Sequence, residues 1–434
     1  MKKYIEPSRE IPVKAEVDVL VIGGGPAGFS ASVSAARKGA KTMLIEQAGQ
    51  VGGVATTGLM SHWTGNTIGG FYREILERSS GADLNGLDQY SWDNVIINPE
   101  NLKLVMFEML QEAGVVLQLY TFACEAIMEG DTIKGVIIES KSGREAILAK
   151  IVIDASGDGD IAAKTGAEFF LGREQDGKMQ PMTIMFKVAG VDTSRVNYVH
   201  SFESTYEIAE GDLQTIARKH IPYPAGHVLL YGTDIPGVVT CNMTNCINVD
   251  GTKSEDLTQA ELTCRSQMKP IVEFLKEHVP GFEKCYLLSS ASIIGVRETR
   301  HFIGEKTITE QDIKDARVFE DWAVTKVHFN FDVHNLSGAG LDETGVQKHF
   351  KQSRWYTIPY GCFIPKKIDN LMLAGRNISG THLAHSNYRV MPICANMGQS
   401  VGIAAAMSAQ KGICPRDLNV NELQNELIAL GIEP

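Results

Sequence analysis

The sequence lacks closely spaced cysteine pairs. Its eight cysteines are scattered through 434 residues without a Cys-x-x-Cys motif. Structural zinc sites and disulfide frameworks show regular cysteine spacing, so neither is expected. A disulfide reductase would need a close redox-active pair, and Cys241 and Cys246 do not form that motif. We expect ordinary packing for these thiols, and no residue spacing predicts a metal site.

The chain also lacks a cluster of basic residues. Its 41 Lys and Arg are outnumbered by 52 Asp and Glu, which gives a formal charge of −11 at pH 7. Nucleic acids and anionic membranes are usually bound by a clustered basic surface. Neither is therefore expected as the main partner.

Long apolar runs are scarce as well. No apolar stretch precedes the first predicted strand, so the N-terminus does not resemble a secretory signal, and the predicted location is cytoplasmic. Met391–Ala409 is long enough to mimic a membrane span, but it contains Asn396, Gln399 and Ser400 and is mostly Ala and Gly. Because its insertion into hydrocarbon would be weakly favourable, a buried helix is predicted instead, without a membrane partner.

What the sequence does contain is a strand, a tight turn, a helix and a second strand near its start. Val17–Ile22 is a β-branched run, Gly23–Gly28 interrupts it, and an Ala-rich segment, Phe29–Lys38, follows. Lys41–Glu46 then supplies the second strand. This order predicts a βαβ unit with a parallel sheet.

The turn Gly-Gly-Gly-Pro-Ala-Gly has the glycine spacing of a dinucleotide site. Gly23 would allow the tight turn, Gly25 would let the backbone approach a pyrophosphate, and Gly28 would let helix and strand pack closely. The free amide groups at the helix start would bind the phosphates. Glu46, eighteen residues after Gly28, ends the second strand, where its carboxylate can accept from both ribose hydroxyls.

The remaining chain divides into two kinds of pattern. Between Val115 and Ile153, short strands separated by turn residues predict an antiparallel meander beside the parallel strands. From about Phe170 to Pro359 the sequence is irregular and polar. Asn370–Ala374 is again a short buried strand, and Pro392–Gln410 is again a helix.

These patterns predict an α/β protein with two domains. A Rossmann-like domain would contain the parallel sheet and the meander and would be discontinuous, from residues 1–169 and 360–434. An inserted α+β domain, residues 170–359, would cover the substrate.

Five motifs together resemble the broad FAD-dependent oxidoreductase family, which is distantly similar to the succinate dehydrogenase and fumarate reductase flavoproteins. They are GGGPAG, VGGVAT (51–56), IDASGDGDIA (153–162), GVRETR (295–300) and the run from AGRNIS to GIAAA (374–406). A Gly-Gly loop such as Gly52-Gly53 follows the acidic strand in FAD enzymes of the glutathione-reductase type. This resemblance implies FAD, and non-covalent attachment is expected because the early loop has no histidine.

The resemblance also implies which residues contact the cofactor. In such flavoproteins a buried strand ends in an Ala-Gly pair near the ribityl-phosphate arm, and a small-residue helix points its N-terminus at the flavin pyrimidine edge. The expected cofactor contacts are Gly23, Gly25, Pro26, Ala27, Gly28, Glu46, Gln47, Gly52, Gly53, Val54, Ala55, Thr56, Ala155, Ser156, Gly157, Asp160, Gly375, Arg376, Met397 and Gly398.

A second dinucleotide turn is missing between Leu117 and Gly190, where a glutathione-reductase-like enzyme would carry its nicotinamide domain. Direct reduction by NAD(P)H through such a domain is therefore disfavoured. The electron partner is left open, as is self-association into a homo-oligomer.

Two segments carry candidate catalytic side chains. His382, His385, Tyr388 and Arg389 precede the helix proposed to face the flavin. Arg389 would bind a substrate carboxylate or hydroxyl, and one histidine would act as acid or base. The alternative is a polar loop that caps the helix.

The second segment, GVRETR, offers Arg297 and Arg300. They would lie on one side of a local helix or be split along an extended chain. An internal ion pair between an arginine and Glu298, bracing the two domains, is an equally open interpretation.

The sequence thus predicts an FAD-dependent enzyme that transfers a hydride between flavin N5 and a small polar organic substrate. Two alternatives remain. One is a flavin-binding sensor or assembly protein without turnover, and the other is a thiazole-synthase-like enzyme that uses bound NAD.

Overall fold

A computed structural model describes residues 3–67, 69–85, 92, 95–342, 352 and 354–434. The strands in these ranges are β1 (Val13–Ile22), β2 (Thr42–Ile45), β3 (Val116–Gln118), β4 (Phe122–Glu129), β5 (Thr132–Ser140), β6 (Gly143–Asp154), β7 (Phe169–Leu171), β8 (Phe186–Ala189), β9 (Glu207–Ile208), β10 (Gly211–Asp212), β11 (Leu230–Gly232), β12 (Val239–Cys241), β13 (Tyr286–Ser290), β14 (Arg300–Phe302), β15 (Trp322–Val327), β16 (Tyr356–Pro359) and β17 (Leu371–Leu373). The α-helices are α1 (Pro26–Arg37), α2 (Gly70–Ser80), α3 (Pro99–Glu112), α4 (Asp160–Lys164), α5 (Leu213–His220), α6 (Ser254–His278), α7 (Glu310–Lys314), α8 (His382–Tyr388), α9 (Met391–Lys411) and α10 (Val420–Ala429).

A seven-stranded mixed sheet forms the centre of the fold. Its order is β3-β2-β1-β6-β5-β4, and β17 pairs with the end of β6. β1, β2, β3, β6 and β17 pair in parallel, whereas β4, β5 and the first half of β6 form an antiparallel meander. The predicted α/β class, with a parallel sheet and a meander, is confirmed.

One strand of the predicted meander belongs elsewhere. The segment at Val116–Gln118 pairs in parallel with β2 and not with the meander. It follows α3, so the chain returns through a helical crossover, as parallel neighbours require. The apolar pattern of so short a strand does not indicate its partner.

Helix α9 returns to the dinucleotide turn. The predicted helix at Pro392–Gln410 is α9, Met391–Lys411, and it is almost wholly buried. Added Cβ atoms on Gly398 and Gly402 would overlap the carbonyl oxygens of Ala27 and Ala31, so both glycines let α9 lie directly on α1. Among the described residues, no single helix has the length and apolarity to cross a membrane, although α8 and α9 together pass that test with a bend of 92°.

The buried hydrophobic residues form two clusters. The first surrounds the central sheet and also includes later residues such as Phe302, Val324 and Tyr356. The second runs from Met182 to Ile294, around the antiparallel sheet β11-β12-β8-β13 and α6. The division into residues 1–169 with 360–434 and 170–359 stays a prediction, and residues 343–351 and 353 of the inserted part lie outside the described ranges.

Candidate functional site

The first glycine turn leaves open space at the start of α1. Gly25 is the N-cap of α1, Pro26 begins the helix, and a Cβ on Gly25 would meet no atom within 4 Å. Gly23 has φ +91°, and its Cβ would lie 2.7 Å from the carbonyl oxygen of Ala155. A Cβ on Gly28 would overlap the Gly23 carbonyl oxygen. The roles predicted for the three glycines fit this geometry, because Gly25 is the one of the three that faces space that a phosphate could occupy.

Glu46 lies beside this turn. Its Oε2 accepts from the Gly24 amide at 2.7 Å, and its Oε1 accepts from the Ala48 amide at 2.7 Å. The half-buried carboxylate retains further lone pairs, so its contact with a ribose stays a prediction. The neighbouring Gln47 is exposed.

The second glycine loop packs on the first. The Gly52 amide donates to the Gly24 carbonyl oxygen at 2.7 Å, and Gly52 has φ +102°. The 3-10 turn Gly53–Ala55 follows, and Thr56 fixes the loop by donating from Oγ1 to the Val51 carbonyl oxygen at 2.6 Å. The predicted cofactor residues of the two loops are thus brought together.

The end of β6 contains a buried carboxylate that sequence reasoning missed. Asp154 is fully buried and accepts from the amides of Ile161 and Ala162 at 2.9 and 2.7 Å. It also accepts from Ser156 Oγ at 2.7 Å. Burial raises the pKa of Asp154 although these donors oppose the shift. The sequence could have indicated Asp154 through its position at the end of a strand and before a helix, because Asp is favoured at helix N-termini.

Arg376 connects this loop with the end of β17. It donates to Asp158 Oδ1 at 2.6 Å and stacks against Gly157, where a Cβ would overlap the guanidinium. Arg376 Nε is buried and has no hydrogen-bond partner among the described residues. Gly375, with φ +104°, lies against Ala27. An unpaired buried donor next to the glycine turns indicates a polar ligand at this position.

Met397 and Gly398 are both buried in α9, and Gly398 lies against the Ala27 backbone of α1. They position the start of α1, and neither lines the neighbouring cavity as the described residues define it. Their direct contact with a cofactor stays a prediction.

A cavity of about 180 Å³ opens between the second glycine loop, the inserted part and the start of α9. This is roughly six times the volume of a liquid water molecule, so it can hold a small organic group. The described residues that line it are Val54, Gly58, Met60, Thr64, Thr183, Met185, Ala291, Ile293, Gly295, Val296, Arg297, Arg376, Arg389, Val390 and Met391. The charged side chains among them are all arginines.

Arg389 lies just before the N-terminus of α9, as predicted. Its Nη2 donates to Asp332 at 2.7 Å (Oδ2) and 3.1 Å (carbonyl oxygen). Asp332 also contacts His334, whose Nε2 lies 3.2 Å from Oδ2. Burial opposes the charge of Asp332, but His334 and Arg389 hold its pKa well below the usual value. Asp332 was missed because nothing in its local sequence indicates a partner 57 residues away.

Arg297 enters the cavity from the inserted part. Its Nη1 donates to the Pro181 carbonyl oxygen at 2.5 Å and to Thr183 Oγ1 at 2.8 Å. Burial, together with the nearby positive charge of Arg389, lowers the pKa of Arg297 to about 10. Two guanidinium groups therefore converge on one cavity with Asp332 as a shared counter-charge.

The two predicted acid–base histidines do not line this cavity among its described residues. They lie in a short helix, α8, and not in a polar loop. His382 Nδ1 is 2.6 Å from Glu298 Oε1, and although burial opposes its charge, Glu298 raises the pKa of His382. Burial lowers the pKa of His385 well below its usual value. Tyr388 is fully buried and donates to the Ile378 carbonyl oxygen at 3.3 Å, and burial raises its pKa.

The chain between Arg297 and Arg300 is extended and not helical, so the two side chains have different partners. Arg300 Nη1 donates to the Asp158 carbonyl oxygen at 2.8 Å and to Asp160 Oδ1 at 2.9 Å. The alternative of an ion pair between an arginine and Glu298 is wrong, because Glu298 contacts His301 and His382. A carboxylate buried among imidazoles is neutralised without a guanidinium.

The described residues fit an FAD molecule. The open face of Gly25, the carboxylate of Glu46 and the unpaired Nε of Arg376 follow one path from the start of α1 to the cavity. The cavity continues this path to Val54 and Met391, at the N-terminus of α9. Backbone amides, a carboxylate acceptor and a guanidinium donor are the groups that bind the phosphates and riboses of a dinucleotide.

Curated relatives match parts of the chain. A thiamine thiazole synthase from Methanococcus vannielii is 31% identical over 161 residues, 33% of this chain and 56% of that protein. A digeranylgeranylglycerophospholipid reductase from Methanosarcina mazei is 30% identical over 183 residues, 36% of this chain and 40% of that protein. The chain thus spans about half the length, or less, of these relatives.

A fumarate reductase (cytochrome) from Shewanella frigidimarina is 49% identical over 51 residues, 11% of this chain and 9% of that protein. Among solved structures, a geranylgeranyl bacteriochlorophyll reductase-like protein from Thermoplasma acidophilum aligns with a TM-score of 0.48 and 16% identity. That alignment covers 96% of this chain and 84% of the other.

The sequence profile of one family matches nearly the whole chain, residues 18–427. This range includes both glycine loops, the end of β6, both cavity arginines and α9. The match agrees with the fold and with the dinucleotide path through the site. The chain therefore belongs to the FAD-dependent oxidoreductase family, and FAD is its cofactor.

Proposed function

We propose that this enzyme transfers a hydride between flavin N5 and a small polar organic substrate that carries an anionic group. The observation that carries the proposal is the convergence of Arg297 and Arg389 on one cavity with a single shared carboxylate, that of Asp332. Such a site has an excess positive charge in a partly buried position. A bound anion would neutralise it.

The two arginines would hold the substrate from two sides. Arg297 is fixed by Pro181 and Thr183, and Arg389 is fixed by Asp332, so neither guanidinium needs to be ordered when the substrate binds. A planar guanidinium recognises a carboxylate through two parallel hydrogen bonds. This contact would fix the orientation of the substrate, which is a large part of catalysis in a reaction between two bound molecules.

The apolar part of the cavity wall would have a different role from that of the arginines. Met60, Met185, Ile293 and Val390 line the cavity beside the arginines. They would exclude water from the reacting carbon and strengthen the electrostatic contacts. When bound, the flavin supplies the two-electron chemistry at N5. Neither His382 nor His385 is assigned a proton transfer, because neither lines the cavity.

The test is anaerobic reduction of the flavin by a panel of hydroxy acids, amino acids, sugars and amines. Reduction is measured as the loss of the flavin absorbance band. We expect compounds with a carboxylate to reduce the flavin and their amide or methyl ester analogues to fail. A reverse panel of unsaturated and oxo acids, offered to the reduced enzyme, covers the other direction. Equal rates with charged and uncharged analogues would contradict an anionic substrate.

The match to a thiamine thiazole synthase supports a second candidate, an enzyme that uses bound NAD as a reactant. That match covers 33% of this chain. Denaturing the purified protein and identifying the released nucleotide by mass spectrometry separates the two candidates. Release of FAD alone supports the hydride-transfer proposal, whereas an NAD-derived adduct would support the second candidate.

A further inference from the structure

A buried cluster of one carboxylate and three imidazoles lies close in the chain to the two arginines Arg297 and Arg389. Glu298 lies in the segment that leads into β14, His301 lies in β14 itself, and His382 and His385 come from α8. The exposed fractions of the four side chains are between 0% and 3%. The cluster is thus almost wholly shielded from bulk solvent, and the catalytic proposal gives it no role.

Three of these residues have the geometry of a ligand set. A carboxylate oxygen of Glu298 and one ring nitrogen each of His301 and His385 all lie within 4.8 Å of one another. Ligand atoms at such separations can bind a single ion placed between them with modest adjustment.

The cluster is not satisfied by its own hydrogen bonds. Glu298 Oε1 is 2.9 Å from His301 Nε2 and 2.6 Å from His382 Nδ1. These contacts leave His301 Nδ1 and His385 Nδ1 buried without a hydrogen-bond partner among the described residues. Buried polar atoms in folded proteins almost always have a partner, so two unpaired ring nitrogens in one cluster point to a bound ligand.

We propose that this cluster binds one divalent transition metal ion of the zinc type. Glu298, His301 and His385 would be the protein ligands, and a set of two imidazoles and one carboxylate suits zinc or another late first-row ion and not Mg²⁺ or Ca²⁺. His382 donates to Glu298 and orients the carboxylate, as outer-shell partners of metal ligands do.

The ion would fix both cavity arginines. Glu298 directly follows Arg297 in the chain, and the Arg389 amide donates to the His385 carbonyl oxygen at 3.2 Å. A metal that joins Glu298 and His301 to His385 therefore cross-links the two segments that present the guanidinium groups. We expect a positioning role, independent of which anionic substrate the cavity takes.

The experiment uses the FAD-loaded protein after removal of metals with a chelator. Zinc chloride is titrated by calorimetry, and bound zinc is counted by mass spectrometry after gel filtration. We expect one tightly bound equivalent and a higher melting temperature with zinc. Absence of tight binding to the wild-type protein would overturn the proposal.

A surface variant provides the matched control. Glu210, His220 and His278 form a second group with similar spacing on the outside of the inserted part. His220→Gln with His278→Gln removes that group and changes no residue of the buried cluster. Retention of the tight equivalent in this double variant supports the buried site, and its loss would assign zinc to the surface.

His301→Phe tests the buried site directly. His301 stacks on Phe170 with ring centroids 4.8 Å apart and an angle of 7° between planes, so a phenyl ring preserves this packing and removes both nitrogens. We expect zinc affinity to fall at least a hundredfold while FAD content and the circular dichroism spectrum are retained. Unchanged affinity in the folded variant would overturn the proposal, and if the variant does not fold, the surface double variant decides.

Discussion

Arg389 is held by Asp332 on one side and faces the cavity on the other. Arg389→Lys would keep the charge near Asp332 but lose the planar fork that binds a carboxylate through two hydrogen bonds. We expect FAD content and melting temperature to stay close to those of the wild type. Stopped-flow absorbance should show flavin reduction by the panel's best substrate falling about a hundredfold, roughly 2.7 kcal/mol of transition-state binding.

Arg416→Lys is the control for this substitution. Arg416 pairs with Asp369 and Glu305 and does not line the cavity among its described residues. Its replacement should leave flavin reduction unchanged. If Arg389→Lys instead releases FAD or unfolds while the remaining holoenzyme reduces normally, Arg389 is a structural residue.

Glu46 is the second residue whose role can be measured. Glu46→Gln replaces a charged acceptor that contacts the Gly24 and Ala48 amides at 2.7 Å. The loss of a charge-assisted contact to the ribose is worth roughly 1.5–3 kcal/mol, so the Kd for FAD should rise about ten- to a hundredfold. Fluorescence titration of the apoprotein with FAD measures this change.

Glu145→Gln weakens the contact of a carboxylate with Lys14 and should leave FAD binding unchanged, because Glu145 is not a predicted cofactor residue. Unchanged affinity in Glu46→Gln as well would mean that another group accepts from the ribose.

The position of a single residue could be predicted where a local sequence motif determines its structural role. The glycines of the two loops and the position of Arg389 before α9 follow from turn and helix-start chemistry in neighbouring residues. The contacts of Arg389 with Asp332 and of His382 with Glu298 were not predictable, because they join residues that are 57 and 84 positions apart. The sequence pattern shows that such a side chain is polar but not which buried charge it meets.

At the scale of elements, the packing of α9 on α1 determines where the dinucleotide turn lies. Gly402→Ala would place a methyl group in overlap with the Ala31 carbonyl oxygen. Overpacking of this kind costs about 1–3 kcal/mol or more, and moving α1 should also weaken FAD binding. Urea denaturation of the apoprotein measures the change in the free energy of unfolding.

Gly338→Ala serves as the comparison, because the nearest atoms to its Cβ would be 3.7 Å away. Its free energy of unfolding should stay within about 0.5 kcal/mol of the wild type. A Gly402→Ala protein as stable as this control would mean that the two helices can separate at little cost.

The type of each long element could be read from its composition and from the residues at its ends, but the partner of the short strand β3 could not. β1 is rich in β-branched residues, whereas α1 and α9 are rich in Ala and other small residues and begin near a proline. β3 has three residues, and only its position after α3 decides that it lies parallel to β2. Strand partners depend on crossovers that a local pattern does not contain.

For the whole molecule, the return of the C-terminal segment to the first βαβ unit was predictable, because both carry motifs of one cofactor site. The cavity was not. Its walls come from Val54, Thr183, Ala291, Arg297 and Met391, which are distant in sequence, and no motif indicates that they meet. Only the packing of the inserted part on the central sheet brings them together.

The contact between the inserted part and the glycine-loop region also carries a titrating group, His62. Its ring packs edge-on against the buried Tyr231 with centroids 4.6 Å apart. Burial, with a smaller effect of His200, lowers the pKa of His62 to about 4 from the ordinary 6.5. The folded protein therefore keeps this imidazole neutral at pH values where the unfolded chain protonates it.

The direction of the pH effect follows from that difference. Between pH 6.5 and 4 the unfolded chain binds a proton that folded His62 does not, so the free energy of unfolding falls as the pH falls through this window. His62 alone should account for a loss of about 1–2 kcal/mol between pH 7 and pH 5. His62→Phe keeps an aromatic ring against Tyr231 and removes the titration, so urea denaturation at the two pH values should show a correspondingly smaller loss in the variant. An identical loss in both proteins would mean that His62 is solvated and protonates in the folded state, and the contact between the two parts of the chain would then be looser than described.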